Sequence, residues 1–233
     1  MIRRSERRFA LAEGQHVSGV AALPEGPRTD TTVVLAHGAG TDMTNPQLVA
    51  IADALAEAGF ATLRFNFPYK ERKGRAPDPA AVLEGCYRAV LEQVRQDPAL
   101  RARRLVIGGR SMGGRMASHL AAAGEAIDGL LFLGYPLHPA GQPERLRIAH
   151  LDRITVPMLF LTGTRDALCR LDLLRPVLAR LPGATLHLIE DGDHSFAVRV
   201  RSGRDAAAVR REIVEASVDW LRTAVGAAAA DPV

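Results

Sequence analysis

Lysine is almost missing from this chain. Lys70 and Lys73 are the only two, so the basic side is nearly all arginine. With a net charge of +4 over 233 residues, that usage reads as base composition and not as selection for nucleic acid. Aromatic residues are scarce as well, at 5%, and none interleaves with the basic clusters Arg3, Arg4, Arg7, Arg8 and Arg101, Arg103, Arg104. A nucleic-acid binder needs a basic stripe with stacking aromatics, so no nucleic-acid partner is expected. There are two cysteines, Cys86 and Cys169. They form no CxxC pair and no zinc spacing, so neither a disulfide framework nor a metal site is expected, and a reducing, cytoplasmic setting fits. No apolar run approaches the ~18 residues of a membrane-spanning helix, so no membrane partner is expected. Glu6 precedes the stretch Phe9–Val17 and Glu13 and Gln15 interrupt it, which leaves no secretory core.

What is present is ordinary globular composition, 47% hydrophobic and 24% charged. The length suits one domain, expected over 1–225, with 226–233 as a frayed tail. Short apolar runs at Thr32–Ala36, Ala61–Phe65, Leu105–Gly108, Leu130–Gly134, Met158–Thr162 and Thr185–Ile189 read as strands. Most are continuously apolar, as parallel strands covered on both faces should be. Helical patterns lie between them, near Pro46–Ala58, Pro79–Arg95, Met112–Ala123, Leu168–Leu181 and Asp205–Thr223. Pro46 and Pro79 suit a first helical turn, and Gly59 and Gly124 suit helix C-termini needing positive φ. Phe9–Ala12 and His16–Ala22 suggest a leading hairpin. This alternation implies an α/β fold, a mostly parallel sheet with helices on both faces. The patternless stretches Asn66–Asp78 and Tyr135–Val156 both follow strands, where ligands of such sheets bind.

The chemistry concentrates in Gly109-Arg110-Ser111-Met112-Gly113, which follows a strand and precedes a helix. That context holds a serine on a sharp turn with its hydroxyl exposed above a helix N-terminus. A serine needs a base to become a nucleophile. Of seven histidines, only His194 sits on the loop after the last strand, where this architecture places its base. The base in turn needs a carboxylate. Asp166, just past the strand Met158–Thr162, is favoured over Asp191 and Asp193, whose side chains as sequence neighbours of His194 suit turn chemistry. An oxyanion needs two N–H donors. Met112 supplies one, and Ala39 in His37-Gly38-Ala39-Gly40 the other, with Gly38 and Gly40 as close alternatives. His37 reads as a turn residue bonded to nearby backbone.

The ordered segments HGAG (37–40), GRSMGG (109–114), GTRDAL (163–168) and DGDHSF (191–196) resemble the α/β-hydrolase superfamily. Within it, LRFNFPY (63–69) and GYPLHP (134–139) are similar to the small dienelactone-hydrolase-like branch that includes testis-expressed hydrolase-like proteins. The resemblance implies a single-domain α/β-hydrolase fold with Ser111 as nucleophile, Asp166 as acid and His194 as base. Dienelactone hydrolases commonly carry cysteine where Ser111 stands, which argues against a dienelactone substrate. The implied activity is hydrolysis of a small ester or thioester through an acyl-enzyme, without a cofactor. The alternative is a hydrolase-fold binding or scaffold module whose site is unused.

The stretch Tyr135–Val156 is too short for a substantial cap, so a shallow pocket for a small acyl substrate is expected. Candidate substrate contacts are Gly38, Arg64, Tyr69, Arg110 and His138. The polar and charged residues Arg64, Tyr69, Lys70, Arg72, Lys73, Arg110 and Arg165 fall on the expected rim. Most read as solvated surface charge, although together they would favour an anionic substrate. His150 lies in the same short segment as His138. Cys169 and Cys86 read as small buried hydrophobes.

Overall fold

A computed structural model describes residues 1–226. Eight strands form one sheet, β1 (Ile2–Ala10), β2 (His16–Pro24), β3 (Thr31–Ala36), β4 (Ala61–Phe65), β5 (Arg104–Arg110), β6 (Gly129–Leu133), β7 (Met158–Gly163) and β8 (Ala184–Ile189). Their order is β1-β2-β4-β3-β5-β6-β7-β8. Pairing is parallel from β4 to β8, and β2 alone runs antiparallel to both its neighbours. Six helices intervene, α1 (Pro46–Glu57), α2 (Pro68–Glu71), α3 (Ala80–Gln96), α4 (Met112–Ala122), α5 (Leu171–Leu178) and α6 (Ala206–Trp220).

The apolar runs are sorted by the two-residue strand period. Val34 and Ala36, Leu130 and Phe132, and Met158 and Phe160 face a core under α3, α4 and α5. Their neighbours Val33 and Leu35, Leu131 and Leu133, and Leu159 and Leu161 face a second core under α1 and α6. A strand with apolar contact on both sides has no polar alternation to show, because successive side chains point to opposite faces and both are dry. Asn45 caps α1, its side chain accepting from Leu48 N–H with Pro46 at the first turn, and Asp205 caps α6 in the same way. Gly59 and Gly124 have the positive φ that the sequence spacing predicts.

Three departures from the sequence reading have physical reasons. The first strand starts at Ile2 and not at Phe9, because an edge strand exposes its charged residues and carries little apolar signal. A helical turn, α2, lies inside the charged stretch expected to be irregular. The helix expected over Leu168–Leu181 is shorter, because Leu168 to Arg170 bond to other groups: Leu168 N–H to Asp166 Oδ1, and Arg170 N–H to His138 Nε2. At the C-terminus, α6 runs on as wider turns over Leu221–Val225, and Gly226 is still helical. The rest of the expected tail, 227–233, lies outside the described residues. Among the described residues no helix is long and apolar enough to cross a membrane.

Candidate active site

The parallel strands all end on one edge of the sheet, and the loops leaving β3, β5, β7 and β8 meet there. Ser111 sits between β5 and α4 with φ +49° and ψ −112°, a conformation a side chain rarely adopts. The turn is possible only because its neighbours lack Cβ atoms. A Cβ at Gly109 or Gly113 would come within 2.1 Å or 2.3 Å of the Ala36 carbonyl oxygen. The turn is thus pressed against the end of β3. Tyr87 of α3 supports it from below. Its buried hydroxyl contacts the Val34 and Gly108 carbonyls at 2.9 and 2.8 Å and accepts from Gly108 N–H at 3.1 Å. That hydroxyl ties together the two strands carrying the Ser111 turn and the His37 loop, and burial pushes its ionisation far up.

His194 Nε2 lies 2.9 Å from Ser111 Oγ. On the other side of the ring, Nδ1 lies 2.9 and 2.8 Å from the two oxygens of Asp166. The Asp166 side chain is fully buried and its Oδ1 also accepts from Leu168 N–H. The other two aspartates are engaged elsewhere. Asp193 Oδ1 accepts from Ser195 N–H and Ala197 N–H, and Asp191 pairs with Arg199 and Arg165. The Arg199 side chain beside it holds the Asp191 carboxyl down at about 2.

The loop after β3 is fixed by His37. Its Nδ1 lies 2.9 Å from the Gly38 carbonyl, and its Nε2 accepts from Phe67 N–H at 3.1 Å. Those contacts demand the neutral ring with the proton on Nδ1, and burial lowers its pKa to about 4. The backbone bond to Gly38 accords with the sequence reading; the long-range bond to Phe67 has no local sequence signal. Gly40 N–H faces the Tyr69 hydroxyl, which burial pushes up to about 12. Ala39 and Met112 line the same cavity as Ser111.

That cavity has a volume of about 300 Å³. Larger hollows of about 450–470 Å³ lie elsewhere, beside the first hairpin and α3, at the β1–β2 face and at β8, and none includes Ser111. Pro77 and Asp78 from the stretch after β4, and Pro136 and Arg147 from the stretch after β6, form its rim, so both patternless stretches do border it. Arg115 of α4 and Leu168 complete the wall nearest them.

Of the five candidate contacts, none lines this cavity. Arg64 is buried and its Nη1 donates to the Met43 carbonyl at 2.6 Å. Tyr69 packs on the His37 ring. Gly38 backs the site, where a Cβ would meet Arg110 and Ser111 at 3.4 and 3.6 Å. Arg110 Nη2 donates to Ser195 Oγ at 2.7 Å, bracing the residue after His194. His138 is buried, and its backbone and ring bind Leu168 and Arg170, which steadies the loop that carries Asp166. These contacts are structural supports of the site. Conversely Arg115 and Arg147, not singled out from sequence, stand at the cavity itself. Cys86 and Cys169 are buried thiols, both pushed up to about 12 by burial.

A second serine–histidine contact exists, Ser118 Oγ to His150 Nε2 at 2.7 Å. Ser118 is fully buried in mid-helix and its hydroxyl already donates to the Arg115 carbonyl. The His150 ring meets the edge of His119 at 4.4 Å between centroids and has no carboxylate partner among the described residues. No substrate carbonyl can reach this hydroxyl, and the pair serves as a tie between α4 and the segment after β6. Among the described residues, no group of three or more His, Cys, Asp or Glu is placed to hold a metal.

Structural comparison gives the same fold at low identity. An α/β serine hydrolase homologue from Coxiella burnetii aligns with TM-score 0.73 and 18% identity, over 91% of this chain and 96% of that one. A dienelactone hydrolase from Anabaena variabilis aligns with TM-score 0.72 and 19% identity, over 94% and 97%. An α/β serine hydrolase without a lid from Xanthomonas campestris aligns with TM-score 0.70 and 23% identity, over 99% and 97%. The sequence model of the family described as alpha/beta hydrolase domain matches residues 29–222. With that match spanning the sheet from the start of β3 to the end of α6, the chain belongs to the α/β-hydrolase family.

Proposed function

We propose that this protein is a serine hydrolase that cleaves a small ester or thioester by way of an acyl-enzyme on Ser111. The observation that carries the reading is the continuous chain Ser111 Oγ–His194–Asp166, with contacts of 2.8–2.9 Å opening on a cavity. His194 Nε2 takes the Ser111 proton as Oγ attacks the acyl carbon. Asp166 receives the Nδ1 proton in a hydrogen bond, fixes the tautomer and stabilises the imidazolium. The N–H groups of Met112 and Ala39 hold the oxyanion, each donor of this kind contributing about 2.7–4 kcal/mol in enzymes where it has been removed. The leaving alcohol or thiol departs with the proton from His194. Water, deprotonated by the same nitrogen, then releases the acid and restores Ser111. No cofactor enters this scheme. The two buried thiols suit a reducing, cytoplasmic setting.

Labelling with an uncharged fluorophosphonate, followed by peptide mapping, tests the assignment. The expected result is modification of Ser111, absent in Ser111→Ala and strongly slowed in Asp166→Asn. An unlabelled, folded wild-type protein would overturn the reading and leave a hydrolase-fold binding module.

A further inference from the structure

Most arginines that leave the solvent in this protein have a partner. Arg7 pairs with Asp97 and Arg204 with Glu212, while Arg64 and Arg104 bond to carbonyls. Arg115 and Arg147 do not. Both are half-buried, both line the Ser111 cavity, and neither guanidinium has a hydrogen bond or ion pair with another described residue. Burial pushes the Arg147 guanidinium below its usual range, and the adjacent charge of Arg115 adds to that effect. Two like charges held together in partly desolvated surroundings repel, and a bound anion relieves both costs.

Their backbones are fixed before any ligand arrives. Arg115 is four residues beyond Ser111 on α4, about 6 Å along the helix axis. Arg147 is pinned by two bonds, its N–H to the Leu137 carbonyl at 2.8 Å and its carbonyl from the Tyr135 hydroxyl at 2.8 Å. The acidic group on the cavity wall is Asp78, and one of its oxygens is taken by Arg72. The charge facing the cavity is therefore positive.

We infer that Arg115 and Arg147 form a carboxylate subsite, and that the preferred substrates are half-esters or half-thioesters of short dicarboxylic acids. The inference rests on the hydrolase reading of Ser111 and extends it to a substrate class. The carboxylate sits between the two guanidinium groups while the acyl carbon, a few methylenes away, sits at Ser111. Arginine suits this task because its planar fork pairs with both oxygens of a carboxylate.

The test uses the p-nitrophenyl half-ester of glutaric acid and its neutral twin, in which the free carboxyl is capped as a methyl ester. Wild-type kcat/KM is expected to favour the anion by at least about tenfold, as one added charge-assisted hydrogen bond would give. Arg115→Gln and Arg147→Gln are each expected to collapse that ratio toward one. Arg180→Gln, which removes an exposed charge just past the end of α5 and outside the cavity lining, is expected to preserve it. Calorimetric titration of the matching p-nitroanilides into Ser111→Ala reads the subsite without turnover. A binding ratio near one there, or an anion preference untouched by the two cavity substitutions, overturns the inference. Fluorophosphonate labelling of Ser111 in the wild type separates that failure from a failure of the hydrolase reading, since the probe is uncharged.

Discussion

Replacing Ser111 by glycine should leave the protein more stable than replacing it by alanine. At ordinary positions the order is the reverse, because glycine loses more backbone freedom on folding, at a cost of about 0.5–1 kcal/mol. Ser111 is held at φ +49° and ψ −112°, however, and any residue with a Cβ carries strain there. Such strain is worth about 1–3 kcal/mol. Both substitutions lose the contact of Oγ with His194, so that loss cancels between them. The difference left is strain relief less glycine's entropy, about 1 kcal/mol in favour of Ser111→Gly. In a domain of this size that corresponds to a rise in Tm of about 2–4 °C over Ser111→Ala. Urea unfolding of the two inactive variants, followed by circular dichroism at equal m, supplies the free-energy difference directly. An alanine variant as stable as the glycine variant, or more so, would refute the claim that the turn stores strain at Ser111.

Other outcomes follow from the supports of the site. Tyr87→Phe removes a hydroxyl that joins Gly108 to Val34, leaving Gly108 N–H without that partner. Denaturant unfolding should show a loss of about 1–3 kcal/mol, and a change within error would mean that water or a shift of β5 replaces the hydroxyl. His37 is neutral when folded, with its pKa lowered from 6.5 to about 4. In the unfolded chain it takes a proton below pH 6.5, so its contribution is complete above that pH and is lost as the pH falls toward 4. The stability gap between wild type and His37→Gln should therefore shrink by about 3 kcal/mol between pH 7 and pH 4. A gap that stays constant over this range would show that the ring is not held neutral.

The parts of the fold legible in the sequence are those where local pattern and tertiary demand coincide. β6 and β7 were readable as uninterrupted apolar runs because both faces of each are covered. Ser111 was readable because a strand, a glycine-bounded serine and a helix are contiguous in the chain. His194 and Asp166 followed from their places after β8 and β7, and the structure sets them 2.8–2.9 Å apart. β1 was not fully readable, since its outward charges mask the period of two. Arg115 and Arg147 were invisible for a different reason. In an arginine-rich chain nothing local separates a guanidinium paired on the surface from one left without a partner in a cavity. Only the approach of α4 to the segment after β6 makes that distinction. The same holds for Arg64 and His138, whose placement near loop ends suggested ligand contact, while long-range packing turned them inward.

The first strand has a consequence for how copies of this protein meet. Among the described residues β1 pairs with β2 alone, and its other edge carries no strand, although the Gln93 side chain bonds both the N–H and the carbonyl of Ala10 at its end. An open edge of this kind is a template on which a second sheet can grow. Here Arg3 and Arg8 project from the strand as exposed charges, while Arg4 is paired with Asp53 of α1. Two such edges brought side by side would set arginine against arginine, and like charges facing each other across strands destabilise the pairing. The scarcity of apolar signal that hid β1 in the sequence thus guards the protein at high concentration against edge-to-edge aggregation.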